Sequence, residues 1–153
     1  MPIALLGEIN TAIFDTLKFA DGLKLYQNYD QITEGIAGTP LLRVYWLDKT
    51  TDVSGSADRS TFRGGLRQTD MTFVADLYAD TRGHINQIFP SIMPLVDNLD
   101  TIIEEQNIKP YFGHDAIKAF QWSVELTTFV HEQQAGTELK YPGVKFTFNV
   151  RVF

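Results

Sequence analysis

The sequence predicts an α+β fold: a mainly antiparallel sheet covered on one face by two amphipathic helices, with a long loop between strands. Three observations predict it. Two stretches repeat apolar residues every three to four positions, the spacing of a buried helix face. Three others alternate apolar and polar residues, the signature of half-buried strands. The links between strands are mostly short or hairpin-like, which favours antiparallel pairing and a helical layer on one side.

Leu5, Leu6, Ile9, Ile13, Leu17 and Ala20 predict a helix from about Pro2 to Phe19, with Pro2 suited to its first turn and Asp21–Gly22 ending it. Leu23 to Tyr29 reads as a short strand, "TEGIAGTP" as a loop, and Pro40 to Lys49 as an aromatic, β-branched strand. Residues 49–66 are expected to form a flexible basic loop, too long for a tight hairpin and too polar for a core. Met71, Phe73, Ala75 and Leu77 then alternate with Asp70, Thr72 and Asp76 in the clearest strand of the chain.

Ile85, Ile88, Phe89, Ile92, Val96, Leu99 and Ile103 restore helical spacing, but Pro90 and Pro94 interrupt it. The expectation is a short turn over 82–89 and a helix from Ser91, capped by Ser91, with Pro94 in its first turn and Gln106–Asn107 at its end. "KPYFGHDA" reads as a loop. Phe120 to Val130 alternates, with Trp122, Val124 and Leu126 opposite Ser123, Glu125 and Thr127. "QQAGTE" turns the chain into a last strand, with Val144, Phe146, Phe148, Val150 and Val152 on one face and Lys145, Thr147, Asn149 and Arg151 on the other. Trp46, Trp122 and the phenylalanines of the last strand are expected in the core. The whole chain, 1–153, reads as one domain.

The chain carries 13 basic and 19 acidic residues, a net charge of -6. Duplex nucleic acid is held mainly by phosphate neutralisation, so a dedicated DNA binder would carry the opposite balance. No cysteine is present, which excludes disulfides, thiolate metal sites and cysteine nucleophiles. No apolar run approaches the ~20 residues of a membrane span, and "MPIALLGEIN" lacks a basic n-region and an apolar h-region. A soluble, unsecreted protein without membrane contact is expected.

Catalytic patterns are sought and not found. There is no phosphate-cradling glycine motif, and Gly64–Gly65 is not expected to open a helix bearing the needed Lys and Ser/Thr. "HEQQA" at His131–Ala135 begins like a zinc-protease motif, but Ala135 stands where the second histidine is required. His84, His114 and His131 are scattered, and no G-x-S-x-G elbow appears. The chain is read as a non-enzyme with no metal or cofactor. Asp97, Asp100 and Glu104 form an acidic stripe opposite Val96, Leu99 and Ile103; it reads as a solvated helix face or as a negative wall toward a passage or partner.

The basic character is concentrated in residues 49–67, where Lys49, Arg59, Arg63 and Arg67 outnumber Asp52 and Asp58. Three readings of this segment stand side by side: a contact with another subunit, a solvated loop, and a phosphate-binding arm. Phe62, an aromatic flanked by Arg59 and Arg63, favours the subunit contact.

"FRGGLRQTDMTFVADLYADTRGHINQI", "IMPLVDNLDTIIEEQ", "PYFG-DAIKAFQWSVELTTF" and "YPGVKFTFNVRVF" together span about residues 60–153. In element order and texture they resemble the tail-terminator, or tail-completion, proteins of long-tailed bacteriophages. Head-closure and neck proteins share much of this texture and are the alternative. The resemblance implies a virion protein without catalysis, assembled in the host cytoplasm. It implies a ring, commonly a hexamer, that caps the tail-tube protein, docks to the head connector protein and lets the genome DNA pass. An acidic lumen would keep transiting phosphate from sticking.

Overall fold

The computed structural model describes residues 6–33, 38–52, 68–79, 85–132 and 138–152. The elements are α1 (Leu6–Leu17), β1 (Leu25–Gln27), β2 (Leu41–Asp52), β3 (Gln68–Tyr78), α2 (Ile85–Glu105), a 3-10 turn (Tyr111–Gly113), β4 (Ile117–Glu132) and β5 (Glu138–Val152). The strands form one sheet in the order β1-β2-β3-β5-β4. Every neighbouring pair is antiparallel except β1–β2. The α+β class and the mainly antiparallel sheet are those the periodicities predict.

Period-2 alternation divides the sheet into two faces. On the near face, Leu42, Val44, Phe73, Ala75, Leu77, Val144, Phe146, Phe148 and Val150 meet Ile9, Ile13 and Leu17 of α1 and Leu95, Leu99 and Ile103 of α2 in one buried cluster. Phe73, Phe146 and Phe148 are fully buried, each worth about 1.5–3 kcal/mol of apolar transfer. The strand registers carry this through the sheet: Trp46, Phe73, Phe148 and Trp122 share one rung, and Val44, Ala75, Phe146 and Val124 another.

Four expectations need correction. The second helix does not start at Ser91; α2 begins at Ile85 and runs through both prolines. A proline inside a helix costs about 3 kcal/mol. Here Ile92, Leu95, Val96, Leu99 and Ile103 are all buried on one face, and that apolar stripe offsets the missing N–H groups. The first strand shrinks from Leu23–Tyr29 to three residues, Leu25–Gln27, and pairs parallel with β2. The strand expected to end at Lys49 continues to Asp52, because Thr50, Thr51 and Asp52 still pair with Asp70, Thr69 and Gln68. Trp46 is not core: it is 44% exposed at a bulge between Trp46 and Asp48. Trp122 does pack against the core. The remainder of the predicted basic loop, 53–66, lies outside the described residues.

Candidate functional site

Arg59, Phe62, Arg63 and Arg67 lie outside the described residues. The acidic stripe lies on α2, and its members differ. Asp97 and Glu104 are exposed, while Asp100 is half-buried and accepts a 2.9 Å hydrogen bond from Trp122 Nε1. Asp100 therefore ties α2 to β4, a structural task that helical spacing alone did not reveal. His114 Nε2 lies 3.4 Å from Glu8 Oε2. Among the described residues no cluster of three or more His, Asp or Glu side chains is arranged to hold a metal ion.

Two surface depressions hold groups already engaged with one another. In one, lined by Asp70, Phe120, Gln121, Asn149 and Arg151, Arg151 Nε binds Asp70 at 3.1 Å. Another is lined by Gly7, Glu8, Thr11, Tyr29 and His114, where the Glu8–His114 contact already sits.

The two ends of the sheet are more informative. β4 is 16 residues long, lies at the end of the sheet order and pairs with β5 alone among the described residues. Its outer edge presents backbone donors and acceptors. Natural sheets usually guard such an edge with proline, lysine or very short strands. From Phe120 to Val130 the strand holds no proline, no glycine and no basic residue, and Glu125 is its one charge.

The near face of β4 is also uneven. Phe120 and Trp122 pack against the helix-covered core. Val124, Leu126 and Val130 are 41%, 60% and 51% exposed, although Phe146 and Val144, opposite Val124 and Leu126, are buried. The sequence reads Val124 and Leu126 as core because their alternation is correct. It does not reveal that the helical layer stops short of them. At the other end, β1 covers only Leu41–Arg43 of β2, and Leu47 of the bulge is 53% exposed.

The far face buries charged groups that residue spacing alone does not mark. Arg43 of β2 stands opposite Asp76 of β3, Asp76 opposite Lys145 of β5, and Lys145 opposite Glu125 of β4. Charges thus alternate in sign along one rung across four strands. Arg43 and Asp76 are buried beside Leu41, Tyr78 and Tyr141. Tyr45 Oη donates to Asp76 Oδ2 at 2.6 Å, whereas Asp76 Oδ1 is buried with no hydrogen-bond partner among the described residues. Burial pushes the Asp76 carboxyl above its usual range, and this outweighs the Tyr45 hydrogen bond and the charges of Lys145 and Arg43, which pull it down. Burial, then the hydrogen bond to Asp76, pushes the Tyr45 phenol up as well. The period-2 pattern placed Asp76 on this face, but only the register shows what stands opposite it.

No helix among the described residues is long and apolar enough to cross a membrane. No protein family matches the chain, and no curated protein matches it.

Proposed function

We propose that this chain is a structural assembly subunit, a tail terminator of a long-tailed bacteriophage. In this reading copies of it close into a ring that caps the tail tube and joins it to the head connector. The observation that carries the assembly reading is the β4 edge, unpaired among the described residues and free of proline and basic residues from Phe120 to Val130, with Val124, Leu126 and Val130 exposed beside it. An edge strand of that length exposes a row of pairing groups, and an apolar strip next to it favours burial against another chain. The resemblance of residues 60–153 to tail-terminator proteins supports reading that assembly as a tail terminator. Asp97 and Glu104, exposed on α2, are acids that would repel transiting phosphate where they face a passage.

Ring closure requires two different, mutually complementary surfaces on each subunit. The test is mass photometry and negative-stain microscopy of the purified protein across concentration, with and without tail-tube protein. The expected result is rings that appear with concentration or on tube ends. Replacing both Val124 and Leu126 with Lys should abolish them with little change in the thermal melt, because both side chains are already exposed. Alanine at Arg59, Phe62 and Arg63 should impair ring formation or tail joining in the same way. Monomers at every concentration, with and without tube protein, would overturn the reading. Binding to connector-side proteins and not to the tube would replace it with a head-closure or neck role.

A further inference from the structure

The shortest strand of the sheet is held at its far end by Asn28, which bonds Asn10 and Thr11 of α1, and along its length by a buried cation. β1 contributes three rungs of parallel pairing to β2, and the turn after it is tied down by side chains. Arg43 Nε donates to Gln27 Oε1 at 2.9 Å, and Arg43 Nη2 donates to the Thr33 carbonyl at 2.9 Å. Gln27 Nε2 donates in turn to Thr33 Oγ1 at 3.2 Å. The guanidinium also lies 5.2 Å from the centre of the Tyr78 ring. One side chain of β2 thereby joins Gln27 of β1 and Thr33 to the sheet, beside the contacts that Asn28 and Tyr26 make with α1.

The same side chain stands directly opposite Asp76. Oppositely charged residues in register on adjacent strands ordinarily attract one another. Here Asp76 is served by Tyr45 through one oxygen, while its other oxygen is buried with no hydrogen-bond partner among the described residues. A carboxylate left in that state lacks a donor, and its strongest neighbours are Arg43 on one flank and Lys145 on the other. A neutral carboxylic acid makes no such demand. The charge on Asp76 therefore decides how strongly Arg43 is drawn away from Gln27 and Thr33.

We propose that Asp76, with Tyr45, is a proton-sensitive latch on the β1 segment. Protonated, it leaves Arg43 to fasten Gln27 and Thr33; ionised, it competes for that guanidinium and loosens β1. The groups that face Asp76 are Arg43 and Tyr45 from β2, Tyr78 from its own strand and Lys145 from β5, with Glu125 of β4 beyond Lys145 and Tyr141 beside Tyr78. The helices lie on the opposite face. The raised carboxyl supports the sign: the latch is closed in acid and opens as pH rises through the Asp76 transition.

The test is hydrogen exchange of the full chain from about pH 4 to pH 8, comparing wild type with Asp76→Asn at each pH. The ratio of their rates cancels the intrinsic pH dependence of exchange. At the low end the β1 amides should exchange at equal rates in the two proteins. At the high end wild type should exchange on the order of tenfold faster at Tyr26 and Gln27, with the centres of β3 and β5 unchanged, because local openings are governed separately from global unfolding. Tyr45→Phe removes a donor to the carboxylate, so the midpoint of the ratio should move to higher pH. A ratio constant across pH, a change spread evenly over all five strands, or a midpoint that ignores Tyr45→Phe would each overturn the latch.

Discussion

The near and far faces of this sheet use the same strands and alternate residues, yet they are held by different physics. The near face is a broad apolar contact in which Phe73, Phe146 and Phe148 are closed over by α1 and α2. The far face buries a smaller, mixed set: Arg43 and Asp76 with Leu41, Val74, Tyr78 and Tyr141. Apolar burial is nearly indifferent to pH and scales with area. Buried polar groups depend on individual partners and on charge. A perturbation of the near face should therefore cost more, and one of the far face should be more conditional.

The largest effect is expected from Phe148→Ala. The side chain is fully buried and its ring lies 6.0 Å from that of Phe112. Truncating a core phenylalanine costs about 3–5 kcal/mol. At about 2–4 °C per kcal/mol for a domain of this size, the melting temperature should fall by about 10 °C or more. A loss under 1 kcal/mol in chemical denaturation would mean that the near face is not the stability core.

Gly143→Ala should be the most damaging small change on the far face. A Cβ there would collide with the Leu77 carbonyl oxygen and lie 2.6 Å from the Phe129 ring. The bare backbone lets Phe129 of β4 lie over β5 and stack on Tyr78, ring centres 4.3 Å apart. The neighbouring oxygen belongs to backbone, so it has little room to yield. A loss of about 2–3 kcal/mol is expected, in line with overpacking. Gly143→Ala melting like wild type would show that the two faces do not differ in tolerance as argued.

Asp76→Asn should be smaller and should depend on pH. The Asp76 carboxyl is raised in the folded chain above the ordinary value of about 3.9. Between those two values the folded chain holds a proton that the unfolded chain has lost. The resulting stability is present below the ordinary value and is lost as pH rises through the raised one. The asparagine variant lacks that slope, so its denaturation midpoint should gain on wild type as pH increases. Parallel pH profiles for the two proteins would place the far face's sensitivity elsewhere.

These contrasts also explain how far the sequence could be read. Alternation in Met71–Leu77 and Val144–Val152 defines strands and their faces, because a period of two leaves no other arrangement. Helix α1 and the apolar stripe of α2 follow from spacing for the same reason. Pro90 and Pro94 predict a later helix start than Ile85, because the local rule is overridden by packing that only the tertiary structure reveals. The open edge at β4 was illegible: Val124 and Leu126 have the right parity for a core, and the extent of the helical layer is not encoded in their own strand. The rung Arg43–Asp76–Lys145–Glu125 joins residues up to about a hundred positions apart, so it exists only once register is known.

The acidic stripe of α2 gives the smallest effects and the finest comparison. Asp100 meets the sheet; Asp97 and Glu104 do not share its burial. Asp100→Ala removes the acceptor of the half-buried Trp122 Nε1, which should cost about 1 kcal/mol. Trp122→Phe should cost a similar amount, and the double variant should be less destabilised than the sum, because both changes delete one hydrogen bond. Asp97→Ala and Glu104→Ala change exposed positions and should each stay within about 0.5 kcal/mol. Additive losses at Asp100 and Trp122 would separate those residues energetically. A large loss at Glu104 would show that the stripe is held to the fold by more than the one contact at its centre.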